Sequence, residues 1–429
     1  MTDEQRIAAF ASGPVALPDS ARQATVRLLG DTLRVGAAGA ASEPASALAA
    51  LAAPGPCRLL GGGQASATDA AFANGFAIHC LEWDAVHEGA VVHALSVVTA
   101  TLLAVADRLG GVAPERMVEA AAVGIEVAAG LGLAATGPMR FFRPATAGVI
   151  GAALAAGRLA QLPAERFEPL IGLAYSLAGG TMQAHVEGSV ALPLQVAAAA
   201  RSAVTALDAT LARLDGPRHA ISGPFGYAAL IEPLDLDPWL AGLGTRWLVE
   251  EVSIKPWPSG RASHGALGAL ADALADDIDP GEIATIRLDA PPLIVRLIGR
   301  PWQDDMSAAW ARLCLPYLAV IMLRDRRIDP RRFTPQDFAD KALRRTGDGV
   351  SVVVSSENDP NIMVPQTLTL TLRDGSGRVI HIAAIAGSPT TPLSPAAAAD
   401  REALIREVAG PAANPRLFDD PLNFACEPR

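Results

Sequence analysis

The stretch TLTLTLRDGSGRVIHIAAI, residues 367–385, alternates apolar and polar side chains on both sides of Asp374-Gly375. A period of two puts every second side chain on one face of a strand, and Asp-Gly supplies the backbone freedom that a tight turn needs. A β-hairpin is predicted here. Working outward, VSVVVSSE (350–357) and IATIRLDAP (283–291) read as further strands, while 264–276 and 304–326 read as helices. Residues of about 266–388 are thus expected to form a small α+β unit.

Toward the N-terminus the pattern changes. From Asp19 to about Leu214 the chain reads as helix almost throughout, broken by turn signals at 54–56, 61–63, 110–111 and 136–138. Pro114 and Pro163 stand where first-turn prolines open helices. From Pro395 the pattern is helical again and is expected to rejoin the first part. The predicted fold is mostly α: a large helical domain, 1–265 completed by 389–429, with a smaller inserted α+β lid domain, 266–388.

Half of the 429 residues are hydrophobic and only 5% are aromatic. Alanine-rich segments of this kind favour helices packed closely on one another. The formal net charge of −10 argues against nucleic acid or an anionic membrane as partner. Cys57, Cys80, Cys314 and Cys426 are scattered without a CxxC pair, which speaks against structural zinc and fits a reducing compartment. The opening MTDEQRIAAFASG lacks the basic-then-apolar pattern of a signal peptide, so a cytoplasmic location is expected. The apolar run 119–135 carries Glu119 and Glu126 and reads as a buried helix, not a membrane span. No nucleotide-binding glycine pattern is present, and no cofactor is expected.

Four of the seven histidines fall in two short stretches. NGFAIHCLEWDAVHEGAVVHALSVV, residues 74–98, holds His79, Glu82, Asp84, His87, Glu88 and His93. IKPWPSGRASHGAL, residues 254–267, holds Lys255, Arg261 and His264. Histidine titrates near neutral pH, a nearby carboxylate fixes its tautomer, and a cation stabilises the anion left when a C–H proton departs. The two stretches supply all three kinds of group. The plainer reading is that His79 and Glu82, one turn apart, satisfy each other, and that His87 and Glu88 lie in a solvated loop. A metal site is not expected, since no HExxH occurs.

At these residues the chain resembles the MmgE/PrpD family, which includes methylcitrate dehydratase, cis-aconitate decarboxylase and iminodisuccinate epimerase. The family pattern N-G-x-x-x-H-x-L-[DE]-[FYW]-D-D…H-P-G is similar to Asn74, Gly75, His79, Leu81, Glu82, Trp83, Asp84 and His93. Its later K-P-Y-P…R…H is similar to Lys255, Pro256, Trp257, Pro258, Arg261 and His264. The segments 145–162 and 223–227, and beyond them IRLDAPPLIVRLIGRP and ARLCLPYLAVIML, match further landmarks, so the resemblance covers nearly the whole chain. It implies a homodimer with a cofactor-free site in the cleft between the two domains. The site residues it carries over are Glu82, His93, Lys255, Arg261 and His264, with Tyr317 beside them.

The departures are as informative. Phe142 takes the place of the histidine in the family's G-F-H-P-T. After Gly188-Ser189, Leu192, Pro193 and Gln195 take the places of a lysine, an arginine and a second histidine. Ala94 replaces the proline after His93, and Ala85 the second aspartate. A tricarboxylate would then leave buried charge uncompensated, at several kcal/mol per group. The expected activity is a cofactor-independent lyase that takes a proton beside a carboxylate or carbonyl of a small acid. In that reading His93 moves the proton, Glu82 orients the site and Lys255 and Arg261 hold the acid group. His264 is the opposite acid or base, and His87, Tyr317 and Gln195 line the substrate. An epimerase, isomerase or carbanion-type cyclase on a less charged substrate, and a non-catalytic binder of small acids, are the alternatives.

Overall fold

Two large hydrophobic cores, with a small third cluster of Ala45, Phe76, Ala77 and Ala197, divide the chain of the computed structural model, which describes residues 1–276, 278–356 and 362–427. The first gathers apolar side chains from Ile7 to Val252 and again from Leu404 to Cys426. The second runs from Ala262 to Ile382. The fold is mostly α, a helical domain with a smaller α+β domain.

The centre of the first core is a stack of long helices: Ala67–His79, Ala94–Arg108, Pro114–Leu133, Arg143–Leu159 and Ala191–Leu211. Few large side chains separate them. Where Pro114–Leu133 crosses Arg143–Leu159, a methyl added to Gly124 would meet Gly151 O at 2.9 Å, and one added to Gly151 would strike Gly124 O. Small residues at the crossing let two backbones approach and bury area at low side-chain entropy cost. Pro114 opens its helix as read from the sequence. Pro163 leads into a short 3₁₀ turn, Ala164–Arg166, before the helix Phe167–Ser176. The C-terminal helix Pro395–Ala409 packs on Asp19–Ala40, and Arg58 ties down the end of the chain by donating to Phe424 O and Glu427 O.

The second core packs helices against a four-stranded sheet in the order Val350–Val354, Ile283–Ala290, Gln366–Leu372, Gly377–Ile382. The first pair is parallel and the others antiparallel. The hairpin turns at Asp374-Gly375, where Gly375 has φ 86° and Asp374 accepts from Ser376 N. The strand predicted at 350–357 ends at Val354, and its last residue lies outside the described residues.

The helix predicted over 304–326 is broken. A short turn, Ala308–Ala311, is followed by a bend and then the helix Leu315–Asp325. Pro316 in the first turn of the second helix has no N–H to continue the first, so the chain must restart there. The bend places Arg312 and Leu313 against the helical domain, where they line cavities. Among the described residues no helix is long and apolar enough to cross a membrane.

Candidate active site

The helix Ala67–His79 ends at His79, and the next begins at Ala94 with His93 as its cap residue. The loop between them folds back so that Asp84, fully buried, lies between the two rings. His79 Nδ1 is 2.8 Å and His93 Nδ1 3.0 Å from Asp84 Oδ2, and the Ser96 hydroxyl donates to the same oxygen. The rings meet edge to face with centroids 4.8 Å apart. Glu82 takes a left-handed backbone, φ 55°, rare for a non-glycine residue. That turn aims its carboxylate at Lys255. The Lys255 ammonium, with no solvent exposure, donates to Glu82 O and Oε2, each at 2.9 Å, and stands 3.9 Å from Asp84 Oδ1.

These contacts set the charges. Burial works to raise the Asp84 carboxyl, but His79 and His93 hold it well below the usual carboxylate range. Burial works the same way on Glu82, and Lys255 with the two histidines brings it down. His93 is pushed below its ordinary value by burial, with Lys255 adding to the effect and Asp84 opposing it. For His79 the same burial is outweighed by Asp84 and Glu82, and its pKa is raised. An ionised carboxylate only accepts, so both rings donate Nδ1–H to Asp84. That leaves Nε2 of His93, neutral and bearing a lone pair, as the ring atom available to the cleft.

His93 lines a cleft of about 690 Å³ between the two cores. Its walls are largely apolar, with Val86, Val91, Phe142, Met182 and Leu192 on one side and Leu293, Leu297 and Met363 on the other. The polar lining is Glu82, Glu88, His93, His185 and Arg261. Phe142, standing where the family pattern has a histidine, places its ring 5.8 Å from His79.

The structure brings together Glu82, His93 and Lys255, with Arg261 facing the same cleft. Arg261 donates to Glu88 Oε1 at 2.8 Å and to the carbonyls of Ile385 and Ala386, so its charge is already matched. His264 is placed one layer behind. Its Nε2 lies 3.1 Å from Ser259 Oγ and its Nδ1 3.4 Å from Arg261, and burial with the Arg261 charge holds it neutral, well below the usual histidine range. This geometry positions Arg261 and does not set His264 across the cleft. His87 points away: its Nδ1 accepts from Ala90 N at 3.1 Å and its Nε2 faces Glu251. Tyr317 is in the lid core among Trp302, Phe333 and Phe338, its hydroxyl donating to Arg332 O. Gln195 donates to Thr181 O at 3.2 Å on the flank of the helical domain and is not in the cleft wall. Packing draws His87 and Tyr317 away from the cleft, and Gln195 lies outside its wall.

Two residues gain importance. Asp84 stands in the family pattern without a role of its own, and spacing gives no sign of which carboxylate faces the rings. His185, in the short helix Gln183–Glu187, lines the cleft. Arg300 donates to its Nδ1 at 3.2 Å, and burial with the Arg300 charge lowers it to about 4, so the ring is neutral with its proton on Nε2.

His79, Asp84 and His93 offer ligand atoms within 4.8 Å of one another. A cation there would break both hydrogen bonds to Asp84 and add positive charge beside Lys255, so the trio fits a hydrogen-bonded network better than a metal centre.

A family model described as the MmgE/PrpD N-terminal domain matches residues 5–235, and one described as the MmgE/PrpD C-terminal domain matches residues 257–401. No curated protein matches the chain.

Proposed function

The chain belongs to the MmgE/PrpD family, and from that premise we propose that it is a cofactor-independent lyase acting on a small carboxylic acid. His93 Nε2 takes a proton from the carbon next to a carboxylate or carbonyl, and the electron pair moves toward that oxygen. His185 Nε2–H, in the same cleft, donates to the oxygen on which charge develops; a neutral imidazole suits that task. The imidazolium formed on His93 is stabilised by Asp84 and can pass its proton to the departing group. Lys255 compensates Glu82 and keeps the loop carrying Asp84 in place. The observation that carries this reading is the pair of contacts at His93: Nδ1 held 3.0 Å from an ionised, buried carboxylate, and the ring set in the wall of the cleft.

The test is proton NMR of the protein in heavy water with methylcitrate, cis-aconitate, iminodisuccinate and several monoacids bearing an acidic C–H. Loss of one C–H signal with appearance of an unsaturated or shortened product supports the lyase. Exchange with the acid otherwise retained means an isomerase. No exchange on any acid overturns the reading in favour of a binding protein.

A further inference from the structure

A second cavity adjoins the cleft. It holds about 690 Å³ of empty space and shares Glu82, His185, Leu192 and Leu313 with the first, so a single layer of side chains lies between the two. Its far wall carries Arg312, presented by the bend that Pro316 forces on the lid.

Arg312 is 9% exposed. Among the described residues its guanidinium has neither an ion pair nor a hydrogen bond, Nε being buried without a partner, and its one contact of note is the face of Phe333 at 5.1 Å. A buried cation with five unused donors is costly unless something arrives to use them. The cations around it differ. Lys255 is matched by Glu82, and Arg261 by Glu88. Arg300, which holds His185 from outside both cavities, likewise has no carboxylate beside it among the described residues, and its Nη1 is unpartnered there. Of the arginines that line the two cavities, Arg261 has a carboxylate partner and Arg312, among the described residues, has none. Ser189, in the same wall, accepts from Ala191 N at 3.1 Å and keeps its hydroxyl proton free.

We propose that the second cavity is the acid-binding lobe: Arg312 takes the ligand's carboxylate in a forked contact, and the apolar cleft beyond Glu82 and His185 takes its carbon body. This rests on the proposed proton abstraction only in naming the ligand a substrate. It moves the acid-binding role from Arg261 and Lys255, whose charges are used, to a residue that the family motifs around His93 do not include. It also accounts for how a largely apolar cleft serves an acid.

The probe is hexanoate, with hexanamide as its neutral counterpart, titrated calorimetrically into the full-length protein. The unaltered protein is expected to bind hexanoate at least about tenfold more tightly than hexanamide, the scale of a charged hydrogen-bonded pair. Arg312→Met should lose that preference, Arg312→Lys should keep part of it, and His93→Ala should keep it whole. Circular dichroism checks that each variant is folded, and the Lys variant serves if the Met variant is not. A crystal of the hexanoate complex should place the carboxylate on Arg312. Equal binding of acid and amide by the unaltered protein, no binding of either, or full preference in folded Arg312→Met overturns the proposal. Because His93→Ala is measured for binding alone, failure of the catalytic reading leaves this test intact.

Discussion

Asp84 orients two histidines with one oxygen: its Oδ2 lies 2.8 Å from His79 Nδ1 and 3.0 Å from His93 Nδ1. The two rings nevertheless differ. His79, inside the protein between Asp84 and Glu82, is raised, and His93, at the cleft wall and nearer the influence of Lys255, is lowered. One carboxylate therefore serves two rings whose pKa values are displaced in opposite directions.

Replacing Asp84 by Asn tests the orienting role. An amide nitrogen can donate to His93 Nδ1 and shift the ring's proton to Nε2, which removes the base. Proton exchange is expected to fall by about 10²–10⁴-fold, with the fold retained, as read by deuterium uptake and circular dichroism. An Asn variant that works at the original rate would assign the tautomer to something other than Asp84.

The pH profile follows from the sign of the His93 shift. The base form is the neutral ring, and burial lowers its pKa. The acid limb of kcat/KM should have its midpoint below about 6.5, the ordinary histidine value. Rates measured from pH 4.5 to 8 check this; a midpoint above 6.5 would mean that the ring is held charged.

Lys255 and Glu82 stand or fall together. Lys255→Met takes from the Glu82 carboxylate the ammonium it is paired with, and the loss of one partner of a buried pair costs about 3–5 kcal/mol. Adding Glu82→Gln should recover much of that stability in urea unfolding, though not activity. If the double variant is as unstable as the single, the two charges are not a coupled pair.

Glu126 makes a separate prediction about stability. Trp239 Nε1 and Leu248 N donate to its two oxygens, yet burial pushes it up to about 7. Its folded-state value exceeds its unfolded value, so the folded protein binds the proton more tightly. Stability is full below about pH 4.5, falls as pH rises toward 7, and is level beyond, a loss of about 3 kcal/mol at most. Thermal unfolding from pH 4.5 to 8 should show this fall in the unaltered protein, and Glu126→Gln should lack it.

Much of this fold is legible in the chain because period and turn chemistry are local. The Asp374-Gly375 hairpin and the Pro114 helix start need no tertiary information. The break at Pro316 was open to the same reading, but apolar spacing over 304–326 hides a bend whose purpose lies in another domain's surface. At the site, His93, Glu82 and Lys255 stand out by composition and family pattern. Asp84 stands in that pattern too, but nothing there shows that it serves both rings, and His185 and Arg312 do not stand out, because their roles depend on what is left unpaired or shared where the two cores meet. Tyr317, His87 and Gln195 show the converse: a polar residue in a suggestive place whose side chain the fold sets outside the cleft wall.

The most direct test of the account is deuterium uptake into whichever acid the protein turns over, compared for the unaltered protein, His93→Ala, and His93→Ala with added imidazole. Loss of uptake on substitution and its partial return with imidazole is the predicted result. Uptake by His93→Ala at the original rate would contradict the assignment of His93 as the base.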